Sequence, residues 1–343
     1  MSISRRDFLK IMGGTTAAFA FPSVMLQGCK KALDKAKERT QVIWLQAQAC
    51  SGCSVSLLNK MTNDDGPSIV PVITEYISLN YHQTLMGGTG HIAVKVLDEA
   101  VKKQRKDYVL IIEGTIPTKD DAYCTIGEVD GRLVGARKWV QDLAKNAVAV
   151  IAVGTCATAG GIPAAVPPSG PNAGVNPTGA VSAQALLPDK KVINIGGCPP
   201  HPDWIIGTVV HILLKGIPAL DEQNRPLMYF GKTVHEQCMW LEDYKRGRMA
   251  LDWGDKGCLY LLGCLGMDSG CDIPKRGWAG GVNSCTGSGA TCIGCTEDVF
   301  PDYGSRGLYK HLHASNEEIN KIENADIRNA ILKLKKNGGI INA

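Results

Sequence analysis

Gln41-Val-Ile-Trp-Leu-Gln-Ala-Gln-Ala-Cys-Ser-Gly-Cys53 decides how the first half of the chain is read. Val42-Ile43-Trp44-Leu45 has no polar face. Such a run suits a strand covered on both sides, as in a parallel sheet. Two cysteines follow it at once, with Gly52 between them.

The same grammar recurs further on. Val109-Leu110-Ile111-Ile112, Ala147 to Val153 and Val192-Ile193-Asn194-Ile195 are near-continuous apolar runs. Amphipathic stretches separate them. Ala93, Leu97, Ala100 and Val101 share one helix face, and Leu133, Val140 and Leu143 fall in a second helical stretch. Alternation of this kind predicts an α/β, flavodoxin-like doubly wound parallel sheet over residues 41–216. Within it, Ile162 to Gly179 is rich in Pro, Gly, Ala and Asn and reads as a long loop.

Residues 229–310 differ. Apolar runs are scarce, and seven of the thirteen cysteines lie between Cys238 and Cys295. A smaller, irregular domain of this kind needs disulfides or metal to hold it. A helical tail over residues 311–343, with its helix from about Asn316 to Lys336, closes the chain. At 343 residues there is room for two domains, and a net charge of +4 gives no basic excess for nucleic acid.

The first residues, 1–28, read as a targeting segment. Ser4-Arg5-Arg6-Asp7-Phe8-Leu9-Lys10 matches a twin-arginine export signal to the periplasm, followed by a mildly apolar stretch from Ile11 to Leu26. Gly13, Gly14 and Pro22 make that stretch a poor membrane span. Leu26-Gln27-Gly28-Cys29 looks like a lipobox, which would put a lipid on Cys29 and attach the protein to the membrane; Ala18-Phe19-Ala20 offers an ordinary cleavage site instead.

Cys50 and Cys53 follow the first strand, Cys156 the strand ending at Val153, and Cys198 the strand ending at Ile195. In a parallel sheet these loops meet at one edge. Four thiolates there are a ligand set for a [4Fe–4S] cluster. Structural zinc and disulfides are the alternatives; a zinc site made of four cysteines usually has two close pairs, and only one exists here. His235-x-x-Cys238, Cys258 and Cys264 form one later group, and Cys271, Cys285, Cys292 and Cys295 another. Spacing alone does not partition these eight residues. Cys124 reads as a buried inert thiol.

At this point the motifs match a family. Cys50-Ser-Gly-Cys53, Glu113-Gly-Thr-Ile-Pro117, Gly154-Thr-Cys-Ala-Thr-Ala-Gly-Gly-Ile-Pro163, Gly197-Cys-Pro-Pro-His-Pro-Asp-Trp204, His235-Glu-Gln-Cys238 and Cys292-Ile-Gly-Cys295 resemble the small subunit of uptake-type [NiFe] hydrogenases, in order, over residues 41–303. The resemblance implies a proximal cluster on Cys50, Cys53, Cys156 and Cys198. It implies a distal cluster on His235, Cys238, Cys258 and Cys264, and a medial cluster on Cys271, Cys292 and Cys295. The family's common form has Pro where this chain has Cys285, which then completes a medial [4Fe–4S] site and points to the [NiFeSe] branch. Three [4Fe–4S] clusters are expected. Oxygen-tolerant relatives carry two additional cysteines at positions resembling Gly52 and Gly161, so the proximal cluster is expected to be an ordinary cubane.

The function implied is electron transfer during reversible H2 oxidation. Electrons would pass between the Ni–Fe site of a large subunit and an external acceptor such as a c-type cytochrome, with no catalytic residue in this chain and Glu113 as a candidate for a proton path. A complex-I-like electron-transfer subunit is the rival reading. It shares the proximal-cluster domain, but the second cysteine-rich region and the export signal speak against it.

Overall fold

A computed structural model describes residues 39–60, 68–166, 174–301, 319–320 and 325–336. The twin-arginine segment, the apolar stretch after it and Cys29 lie outside the described residues. The chain divides into two compact units, Met1–Leu227 and Met228–Ala343. Among the described residues no helix is long and apolar enough to cross a membrane.

The first unit is built on five parallel strands. These are β1 (Thr40–Gln46), β2 (Ile77–His82), β3 (Tyr108–Glu113), β6 (Ala149–Val153) and β7 (Val192–Ile195), in the spatial order β2-β1-β3-β6-β7. A separate hairpin of β4 (Thr125–Val129) and β5 (Arg132–Gly135) is inserted between β3 and β6. Counting only the parallel strands, the order is 2-1-3-4-5, the flavodoxin-like winding. The chain order reverses between β1 and β3, which makes their carboxyl ends the switch point where such sheets bind ligands.

Register brings those ends into line. Gln46 pairs with Glu113, Glu113 with Val153, and Val153 with Ile195. Whatever follows these four residues therefore emerges at one edge of the sheet.

The central strands are buried on both faces. Ile43, Leu45, Leu110, Ile112, Val150 and Ala152 belong to a core with residues of the helices α2 (Gly90–Lys102) and α3 (Ala136–Ala144). Val42, Trp44, Ile111 and Ile151 alternate with them along the strands and are also buried. Two expectations from the sequence need revision. Leu133 is on β5 and exposed, not on a helix, because Asp130 and Gly131 both take positive φ and turn the chain into a hairpin. The loop from Ile162 begins inside a short helical turn, Gly161–Ala164. Its residues 167–173 lie outside the described residues.

Among the described residues of the second unit, Ala250, Leu259 and Leu262 form a buried cluster with Cys264 packed against it, and Tyr229, Phe230, Val234, Ile273 and Phe300 are also buried. Short helical turns punctuate the unit, including Val234–Gln237, Leu241–Lys245 and Ile273–Arg276. The first of these starts at a capping box between Thr233 and Glu236. The helix Ala325–Lys336 lies within the expected helical tail.

Leu97 is fully buried where α2 meets the sheet. Leu97→Ala is expected to destabilise the chain by about 2–5 kcal/mol, read as a lower Tm.

Candidate metal centres

The helix α1 (Gly52–Leu58) begins directly after the loop leaving β1 and carries Cys53 in its first turn. Ser51, which caps it, sits in the left-handed region at φ 64°. The helix α4 (Thr155–Ala159) starts after β6 and carries Cys156. Cys198 lies between β7 and the helix α5 (Pro202–Lys215). Two hydrogen bonds cross-tie the last two loops. Thr155 N–H donates to Gly197 O at 2.9 Å, and Gly197 N–H donates to Thr155 Oγ1 at 2.9 Å.

The structure brings together the four cysteines predicted for this edge. Burial raises the Cys53 thiol far above its ordinary pKa, and Glu113, Cys156, Cys50 and Cys198 raise it further. Cys156 is pushed up to about 11 by burial, then by Cys198 and Cys50. Cys198 is raised by burial and by Cys50. Bound metal cations would relieve the repulsion among thiolates gathered here.

Glycines keep space open beside the sulfurs. A Cβ at Gly154 would stand 2.3 Å from Cys53 Sγ. At Gly52 it would be 3.1 Å from Cys50 Sγ, and at Gly161 3.1 Å from Cys156 Sγ. Among the described residues no three His, Cys, Asp or Glu side chains stand close enough to share a single metal ion. A cubane puts a separate iron under each sulfur, so its thiolates stand further apart than around one zinc. The donor set and its glycine cradle fit a [4Fe–4S] cluster.

Glu113 ends β3 at this edge and is buried. Its Oε2 accepts from Trp44 Nε1 at 2.9 Å, Gln46 Nε2 at 3.2 Å and Ser54 Oγ at 2.5 Å. Its Oε1 accepts from the backbone N–H groups of Cys53 at 3.2 Å and Ser54 at 3.3 Å. The carboxylate thus anchors the first turn of α1. Buried His82 extends the network, with its Nε2 3.0 Å from Ser54 Oγ. The His82 Nδ1 accepts from Thr84 N–H and Leu85 N–H, which assigns the ring proton to Nε2. Sequence reading picked out Glu113 but missed Trp44, Gln46, Ser54 and His82 as its partners.

In the second unit, Cys258 is pushed up to about 11 by burial, then by Cys264 and Cys238. Cys264 is raised by burial and by Cys238 and Cys285. A Cβ on Gly266 would stand 3.4 Å from Cys264 Sγ and 3.5 Å from His235 N. The His235 backbone thus passes close to the Cys264 loop, and its N–H donates to Gly266 O at 2.8 Å. Burial lowers the His235 pKa, which favours the neutral, metal-binding imidazole. The ring packs edge-on to Tyr244 at 4.6 Å.

Cys271 is raised well above its ordinary value by burial, then by Cys295 and Cys292. These three form the second gathering. The two groups abut: Cys292 N–H donates to Cys264 Sγ at 3.3 Å, and Leu265 N–H to Cys292 O at 2.8 Å. Cys285 accepts a hydrogen bond from Trp278 and lies near enough to Cys264 to act on it. Cys124 is half-buried against the sheet core, and burial raises its thiol. Among the described residues no two cysteines are joined in a disulfide.

Residues 50–212 match the family described as NADH ubiquinone oxidoreductase, 20 Kd subunit. Residues 230–306 match the family of C-terminal regions of NiFe/NiFeSe hydrogenase small subunits, and residues 2–22 match the twin-arginine translocation signal sequence. The chain is 38% identical over 319 residues to the periplasmic [NiFeSe] hydrogenase small subunit of Desulfomicrobium baculatum, covering 88% of this chain and 97% of that one. The chain belongs to the hydrogenase small-subunit family.

The Hydrogenase-2 small chain of Escherichia coli (strain K12) is 36% identical over 354 aligned residues, covering 99% of this chain and 87% of the relative. The crystal structure of a reduced, active Ni-Fe-Se hydrogenase from Desulfomicrobium baculatum superposes with a TM-score of 0.72 over 80% of this chain and all of the other, at 38% identity. The hydrogenase C-terminal match decides against the complex-I-like reading, whose family covers only the sheet unit. As a hydrogenase small subunit, the chain is the electron-transfer partner of a large subunit and an iron–sulfur protein. Its twin-arginine signal directs it to the periplasm.

Gly154 has φ 86° as well as the close Cys53 sulfur. Gly154→Ala is expected to displace Cys53 Sγ and to destabilise by about 1–3 kcal/mol. Iron bound per chain and the thermal melt check this; unchanged values of both would contradict it.

Proposed function

We propose that this chain carries the electrons of reversible H2 oxidation along three [4Fe–4S] clusters, between the Ni–Fe site of its large subunit and an external acceptor. The convergence of four thiols at the switch point of the sheet is the observation that carries the reading. The clusters, when bound, supply one-electron carriage.

Each set of residues then has a task. Cys50, Cys53, Cys156 and Cys198 hold the proximal cluster in glycine-lined loops, and the large subunit docks around Cys50 to Leu58, because a buried cluster must lie near its electron source. Cys50 and Val55 are exposed there, as a face meeting a partner would be before assembly. Cys271, Cys285, Cys292 and Cys295 hold the medial cluster. His235, Cys238, Cys258 and Cys264 hold the distal one. The Cys292 N–H to Cys264 Sγ bond supports placing these two clusters in succession. His235, as a neutral ligand replacing a thiolate, raises the distal potential, and a Cys285 thiolate lowers the medial one.

Glu113 has its oxygens engaged by five donors, an arrangement that supports a fixed anchor for α1. Ser54 and His82 supply a hydrogen-bonded continuation for any proton path from Glu113. A side chain at Gly52 or Gly161 would meet a sulfur, and glycine at both supports an ordinary proximal cubane. The acceptor is a c-type cytochrome or a similar carrier, and a lipid on Cys29 would keep the exported complex at the membrane.

The isolated complex should contain about twelve irons and twelve sulfides contributed by this chain, four of each per cubane. Zinc, or neither element, would defeat the reading. Oxidised protein should lack a strong [3Fe–4S] EPR signal. Cys285→Pro should create one while leaving the proximal and distal signals in place; its absence would remove Cys285 from the medial site.

A further inference from the structure

An ion pair is buried beside the proximal loops, away from the glycine cradle. Lys60 Nζ lies 3.1 Å from Asp203 Oδ1, with side chains only 7% and 10% exposed. Lys60 stands just past the end of α1, where its N–H donates to Leu57 O at 3.3 Å. Asp203 sits in the first turn of α5, and its N–H donates to Nδ1 of the capping residue His201 at 3.2 Å. The two helices pack against each other. A second bond closes the same seam: Ser56 Oγ donates to Pro200 O at 2.6 Å, and Ser56 is buried.

These contacts join particular parts of the chain. α1 carries Cys53 and follows Cys50. The segment held by Ser56 and Lys60 begins two residues after Cys198. Gly197 and Pro200 are themselves in tight apposition, since a Cβ on Gly197 would lie 2.6 Å from Pro200 Cα. A shift of α5 relative to α1 is therefore transmitted to Cys198.

Taking both charges of a pair out of water is expensive, and apolar residues of similar volume are often as stabilising or more so. What a buried pair adds is a fixed register between the two elements that carry it. We infer that Lys60 and Asp203, with Ser56, act as a positioning clamp. It sets the spacing of the Cys198 thiolate from those of Cys50 and Cys53, and so tunes the proximal site alone. The inference rests on the assignment of these cysteines as proximal ligands.

The test uses the complete complex with its large subunit. Lys60→Met leaves a buried carboxylate without this partner, so a lower Tm is expected together with an altered proximal EPR line shape and potential. The double variant Lys60→Met with Asp203→Asn removes both charges. It should regain much of the Tm while its proximal potential stays shifted, with the medial and distal potentials at their wild-type values. Ser56→Ala leaves the ion pair in place and should move the same proximal signal by a smaller amount; it remains readable even if Lys60→Met does not assemble.

Wild-type proximal potentials in both the double variant and Ser56→Ala would reduce the pair to a stability element and overturn the inference. So would equal shifts at all three clusters. A wild-type complex without any proximal [4Fe–4S] signal would instead remove the ligand assignment, a result independent of every substitution at the clamp.

Discussion

Gathering four thiols around one small space is electrostatically unfavourable for a bare polypeptide. Burial and mutual proximity push Cys53 and Cys156 far from ionisation, and the carboxylate of Glu113 adds to the effect on Cys53. A fold that holds thiols this way must fix its loops by other means. The parallel sheet does so by aligning the ends of β1, β3, β6 and β7, and hydrogen bonds then lock the loops that follow. Glu113 holds the first turn of α1, Thr155 ties the Cys156 loop to the Cys198 loop, and Ser56 ties α1 to Pro200. Iron, when bound, replaces thiol protons and supplies the positive charge these loops lack.

The second unit meets the same constraint. Between Val234 and Arg276 its described chain is punctuated by single turns rather than long elements. Two groups of cysteines, joined through Cys264 and Cys292, run through this unit. The sheet unit has an extensive core of its own.

How much was legible in the sequence depended on the range of each interaction. The central strands were legible because a strand covered on both faces must be apolar at every position, as Val42 to Leu45 and Val109 to Ile112 are. β2 was not, because this edge strand mixes Ser78, Asn80 and His82 with apolar residues. The hairpin was legible only in its Asp130-Gly131 turn, which the helical reading of Leu133 passed over. Among site residues, the cysteines and His235 stood out by type and spacing. Ser54, His82, Lys60 and Asp203 did not, since no local pattern marks a Ser beside a Cys or a Lys whose partner lies far along the chain.

The sequence by itself determined the inventory of cysteines, the strand-then-cysteine grammar, the export signal and the family, because each is written in residue identity over short spans. Only the tertiary structure decided which cysteines face one another, which carboxylate and hydroxyl hold α1, and which charges are buried between α1 and α5. Those outcomes depend on strand order and register, which bring residues distant in the chain within a few ångströms. Even Cys285 follows this division. Its identity sets the number of available thiolates, while its place beside Trp278 and Cys264 is a property of the folded second unit.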